Sequence, residues 1–145
     1  MSQYVDFALY NHENKKFYPL FDFGRSSYIY SWFCNYVPYE TGIPLNLKHI
    51  DEIYKRAEEE IKKFKNTIEL NRQKIDLVLK MNGSIEEKNE CISLYCNENN
   101  ECQEEIDNVH FATGIIGAIK NMLDNGNDIY CGIEVNWVGM EVRMK

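Results

Sequence analysis

A chain of 145 residues, 44% hydrophobic and 27% charged, fits one domain that buries about two-thirds of its unfolded surface without metal or disulfide staples, and its 13% aromatic content excludes general disorder. The net charge of −7 disfavours direct binding to a phosphate backbone but suits a basic surface, including the nucleic-acid groove of another protein; it also serves plain solubility. No apolar run is long enough to cross a bilayer, and Met1-Ser2-Gln3-Tyr4-Val5-Asp6 lacks the basic start and apolar stretch of a secretory signal. A cytoplasmic protein with no membrane partner is therefore expected, with its five cysteines reduced.

Taken in chain order, Val5, Phe7 and Leu9 alternate with Asp6 and Ala8, and a polar connection leads to Phe17-Tyr18-Pro19-Leu20-Phe21, which predicts a hairpin of two strands. Pro19 cannot donate to a ladder, so the second strand is an edge or ends there. Ser26 or Ser27 caps a short helix carrying Ile29, Trp32, Phe33 and Tyr36 and ending before Pro38. From Asn46 the residues Leu47, Ile50, Tyr54, Ala57, Ile61, Phe64, Ile68, Asn71, Ile75 and Val78 recur at steps of three and four. Such a seam predicts a helix of roughly 35 residues, on the order of 50 Å long.

Asn82-Gly83 reads as a left-handed stop, and Ser84-Ile85-Glu86-Glu87 as the capping box of a second long helix. Its seam runs Ile92, Tyr95, Asn99, Cys102, Ile106, Val109, Thr113, Ile116, Ile119 and Leu123, and the chain leaves it around Asp124-Asn125-Gly126. Antiparallel pairing about Gly83 brings Ile61 to Ile106, Ala57 to Val109, and Asn71 near Cys96 and Asn99. The two asparagines either fix the register of a buried seam or sit in a partly hydrated stretch. Strand alternation returns at Ile129, Cys131, Ile133 and Val135, and again at Val138, Met140, Val142 and Met144.

The expected fold is thus α+β: a long antiparallel helical (coiled-coil) hairpin packed with a short helix and a small antiparallel sheet from the N- and C-terminal strands. It forms one domain over residues 1–145, with a β-hairpin and short helix in 1–45, the helical hairpin in 46–126 and the last strand or strands in 127–145.

The residues offer little chemistry. Cys91-x4-Cys96-x5-Cys102 lacks the close pairing of zinc sites, and His12, His49 and His110 stand at no matching spacing. On a helix Cys96 points about 140° away from the other two, so three thiols converge only if Asn97-Glu98-Asn99-Asn100 breaks the helix. Cys34 and Cys131 have no local base, the paired carboxylates read as solvated helix faces, and Gly114-Ile115-Ile116-Gly117 lies inside a helix and not in a phosphate-binding loop. No metal, no cofactor and no catalytic residue is expected.

Aromatics are the more informative feature, with nine rings crowded into 22 positions from Tyr18 to Tyr39. Exposed rings beside carboxylates mark protein interfaces, which nominates Tyr28, Tyr30, Trp32, Tyr36 and Tyr39 with Glu58, Glu59, Glu98, Glu101, Glu104 and Glu105 as partner-binding residues. Packing under the sheet competes for each ring.

The opening stretch "DFALYNHENKKFYPLFDFGRSSYIYSWF", about a fifth of the chain, resembles the starts of small phage and prophage proteins that begin with an aromatic hairpin and a short helix after an arginine-serine pair. That resemblance implies an inhibitor of host machinery, of the anti-CRISPR or counter-defence kind, which binds a nuclease or another nucleic-acid-binding complex with a basic surface in the host cytoplasm. A non-enzymatic interaction protein is the resulting expectation. The alternative is a structural or oligomerising module in which Ile53, Leu70, Leu77, Leu79 and Leu94, outside the seams, complete a homodimeric four-helix bundle.

Overall fold

A computed structural model of the chain describes residues 3–139. Strand β1 (Tyr4–Asn11) returns as β2 (Lys16–Gly24) through a turn closed by Asn11, whose Oδ1 accepts from the backbone N–H groups of Glu13 and Asn14 at 2.9 and 3.3 Å. The ladder slips once. Phe7 faces Phe21 but Ala8 faces Pro19, so Leu20 has no partner and forms a bulge. Pro19 is tolerated beside it because β2 is an edge of the four-stranded sheet, whose order is β2-β1-β4-β3.

Helix α1 (Tyr28–Phe33) is capped by Ser27, whose hydroxyl accepts from the N–H of Tyr30 at 3.1 Å. With only six residues it ends well short of Pro38. The next segment runs along β4 (Asp128–Ile133): Ile133 N–H donates to the Pro38 carbonyl, and Ile43 and Pro44 form the two-residue strand β3 opposite Cys131 and Tyr130. Gly132 is required there, since a Cβ would lie 2.4 Å from the Thr41 carbonyl oxygen. Pairing of β1 with β4, from Val5–Ile133 to Tyr10–Asp128, brings the N- and C-terminal strands together in an antiparallel sheet.

Both sheet faces are covered. Val5, Phe7, Ile129, Cys131 and Ile133 point to one side, where Phe33 of α1 stands edge-on to Phe7 at 5.1 Å. On the other side Ala8, Phe17 and Trp137 form a smaller core flanked by Tyr10, Tyr130 and Val135. Trp137 reaches it from a 3-10 turn, Trp137–Gly139. The expected final strand is replaced at Val138 by this turn, and Met140, Val142 and Met144 lie outside the described residues.

Helix α2 (Leu47–Lys80) starts at Asn46, whose Oδ1 accepts from His49 N–H at 3.1 Å, and α3 (Ile85–Asp124) starts at Ser84, whose hydroxyl accepts from Glu87 N–H at 3.1 Å. The C-terminus of α3 closes with Gly126 at φ 85°, its N–H donating to Leu123 O while Asn127 N–H donates to Met122 O. Among the described residues, no helix is long and apolar enough to cross a membrane.

The chain forms two compact units, Met1–Ile53 with Ala112–Lys145, and Tyr54–Phe111. The division cuts across both long helices. In the first unit Ile50, Ile53, Ile116 and Ile119 are buried; in the second the antiparallel arms bury Ala57, Asn71, Cys102, Ile106 and Val109. Leu47, expected in the seam, is exposed, whereas Ile53, expected outside it, is buried.

Candidate interaction surface

The aromatic segment divides sharply. Trp32 is 2% exposed and Tyr30 is buried, its hydroxyl donating to Gln3 Oε1 at 2.8 Å. Neither can meet a partner, because a helix this short must turn Ile29, Tyr30, Trp32 and Phe33 inward together. Tyr28 is half-buried against the Trp32 ring. Of the five nominated rings, only Tyr36, stacked obliquely over His49, and Tyr39, beside Ile133, are well exposed. The aromatic half of the expected surface thus shrinks to two tyrosines.

The carboxylates divide as well. Glu58 and Glu59 are exposed on α2, each with a lysine four positions on, Lys62 and Lys63, so the helix offsets their charge. Helix α3 does not. It carries nine carboxylates against Lys88 and Lys120, a net of −7, and the remaining residues of the chain balance to zero. At 100° per residue Glu87, Glu90, Glu98, Glu101 and Glu105 fall within an arc of about 80°, with Leu94 among them and Glu104 about 40° beyond its edge. Leu94 is 70% exposed.

Like charges recur at helical spacing in the pairs Glu86/Glu90, Glu87/Glu90, Glu98/Glu101, Glu101/Glu104, Glu101/Glu105 and Glu104/Asp107. At a few tenths of a kcal/mol each, they cost α3 roughly 1–3 kcal/mol at low salt. None of Glu86, Glu87, Glu90, Glu101 and Glu104 forms an ion pair among the described residues. The field reaches inward too: burial first, then Glu98, Glu101 and Glu105, push the Cys102 thiol above its ordinary pKa.

Two contacts orient this stripe on the hairpin. The amide of Asn71, 1% exposed, donates to Glu98 Oε1 at 2.7 Å and to Asn99 Oδ1 at 2.9 Å, and the Lys74 ammonium lies 5.6 Å from the centre of the Tyr95 ring. Antiparallel helices set matching flanks side by side, so Leu70, Leu77 and Met81, exposed on the Lys74 flank of α2, share one face with the α3 stripe. The result is an anionic face studded with apolar side chains. Glu87 and Glu90 were not among the residues nominated from sequence, and Leu94 was nominated only for the oligomerising alternative, although the steps of three and four that lead from Glu87 through Glu90, Leu94 and Glu98 to Glu101 were there to be read.

The cysteines stay apart. Cys91 and Cys96 are exposed and Cys102 is buried on one unbroken helix. Burial in the sheet pushes the Cys131 thiol to about 12, a poor nucleophile at neutral pH. Among the described residues no group of three His, Cys, Asp or Glu side chains is arranged to hold a metal ion. Comparisons with protein-family models, characterised proteins and solved structures find no match to the chain.

Proposed function

We propose that this chain is a non-enzymatic binding protein that lays the acidic face of α3 on the basic surface of a nucleic-acid-handling protein and competes with nucleic acid for it, as the resemblance to small phage counter-defence inhibitors implies. The observation that carries this reading is the concentration of the entire net charge on one helix while the rest of the chain is neutral. Solubility alone needs no such segregation. A helix that tolerates unrelieved repulsion along one side gains when a partner supplies cations, and the interleaved Leu94, Leu70 and Leu77 give that partner apolar area to cover.

The test is affinity capture from bacterial lysate with the wild type and with a Glu98→Lys/Glu101→Lys/Glu104→Lys variant. A nucleic-acid-binding complex should be retained by the first and lost by the second, with unchanged circular dichroism, and excess nucleic acid should release it. Capture indifferent to the reversal would overturn the reading.

The oligomerising alternative retains one support: Leu70, Leu77, Leu79 and Leu94 remain exposed, although Ile53 is not available. Light scattering that shows a dimer dissociated by Leu77→Glu/Leu94→Glu would favour it.

A further inference from the structure

The second face of the sheet contains a recess of about 420 Å3 that the hairpin surface does not involve. Its walls come from distant parts of the chain: Asp6 on β1, Leu20 and Asp22 on β2, and Val135 and Trp137 in the turn after β4. Asp6 and Asp22 are direct cross-strand partners, an arrangement in which like charges repel. The bulge at Leu20 opens the strand edge beside them, and Glu134, at φ 54°, turns the chain so that Val135 N–H donates to Asp6 Oδ2 at 2.9 Å. Glu134 itself accepts from Tyr4 N–H. Two carboxylates, Asp6 and Asp22, therefore line the recess, Glu134 adds its field at Asp6, and no lysine or arginine pairs with any of the three among the described residues. The Asp22 carboxylate is exposed and has no hydrogen-bond partner there.

We propose that this recess binds an alkylammonium group, as on a lysine side chain or a small free amine, with Asp6 and Asp22 taking the charge and Leu20, Val135 and Trp137 covering the hydrocarbon stem. The chemistry of the walls selects this class. A bare metal ion would find no ligands on Leu20, Val135 and Trp137, and a neutral apolar ligand would leave two facing carboxylates without a counter-charge. An ammonium on a short stem satisfies both halves and relieves the cross-strand repulsion. Acidification weakens the site, because Asp6, raised above its ordinary pKa by burial and then by Asp22 and Glu134, protonates early and loses its charge.

The test is an NMR titration of the full chain with n-butylammonium, against n-butanol as its neutral counterpart and sodium chloride at equal ionic strength. Butylammonium should move the Val135 amide and Trp137 indole signals and saturate below about 100 mM, as expected of a millimolar site. Asp22→Asn, at an exposed carboxylate without a structural bond, should weaken binding about tenfold with the spectrum otherwise intact. N-acetyl-lysine methylamide distinguishes the source: stronger binding than butylammonium assigns a protein-borne lysine, weaker binding a free amine. Equal shifts with butanol, indifference to Asp22→Asn, or no saturable shift would overturn the proposal. The triple reversal on α3 should leave this titration unchanged, so failure here and failure of the hairpin reading are separately visible.

Discussion

In the sheet unit Phe7, Ile29, Trp32, Phe33, Ile129 and Ile133 are shut away from solvent, while between Asn71 and Cys102 the hairpin buries not one side chain completely. Both regions are regular and both obey their own periodicity. The difference is what lies on the second side of each element. A strand or short helix in the sheet unit is covered broadly, whereas each arm of the hairpin has one neighbour and presents the rest of its circumference to water. Helices in that position owe their persistence to a thin seam and to propensity, and local opening of such segments costs less than global unfolding.

The largest effect should separate the two regions outright. Phe7→Ala or Trp32→Ala removes a fully buried ring and should cost about 3–5 kcal/mol in urea unfolding, whereas Ile75→Ala, at a half-buried seam position, should cost nearer 1 kcal/mol. Amide exchange should show the same order, with residues 72–98 exchanging faster than β1 and β4. Equal costs and uniform protection would erase the distinction.

Asn71 is the exception within the hairpin and should show the next effect. Its amide ties α2 to both Glu98 and Asn99 at the last fully buried layer before the turn. Asn71→Asp sets a buried carboxylate against Glu98 and should cost about 2–3 kcal/mol, measured by thermal unfolding at neutral pH. Asn71→Leu keeps the branched outline of the side chain without its amide and should be far milder in stability while loosening the register, detectable as a changed crosslinking pattern between cysteines introduced across the arms.

Much of this was visible in the sequence, and the misses have physical causes. The seams were legible because steps of three and four over ten positions admit no other reading, and antiparallel pairing about Gly83 already set Asn71 beside Asn99. Strand β3 was not, since two residues carry no period and its position depends on Gly132 letting Thr41 approach. Exposure of the aromatics was misjudged at Tyr30 and Trp32 because a six-residue helix has no solvent face wide enough for so many rings. The recess at Asp6 was invisible for a different reason. It joins residues 6, 20–22 and 135–137, whose meeting depends on a bulge and a positive-φ turn that leave no periodic mark.

Glu101→Lys acts in the opposite direction to the first two changes. It converts three repulsive pairs, with Glu98, Glu104 and Glu105, into attractive ones and should stabilise the hairpin by about 1 kcal/mol at low salt, the gain shrinking as salt is added. The same substitution should weaken capture of a basic partner. A variant that is more stable and binds less well would show that the repulsion along α3 serves recognition; a loss of stability would mean Glu101 has a structural bond that the stripe does not suggest.

The smallest effect concerns pH and again pits the two regions against each other. Burial, Asp22 and Glu134 raise Asp6 above its ordinary value of 3.8, with the Val135 N–H pulling the other way. Between that value and the raised one, the native state holds a proton that the unfolded chain has released, so stability from this group falls as pH rises through the window and returns on acidification. Acidification from neutral pH into that window should therefore raise the melting temperature slightly, the sign expected of a carboxyl whose value is raised in the native state. Variants assign it. Asp6→Asn should flatten the slope for exchange-protected amides of β1 and β4 only, Asp22→Asn should flatten it partly because burial is the larger cause, and Glu101→Lys should leave it in place. If Asp6→Asn also flattened the slope of amides in residues 85–105, the two regions would be titrating as one cooperative body and the distinction drawn from burial would fail.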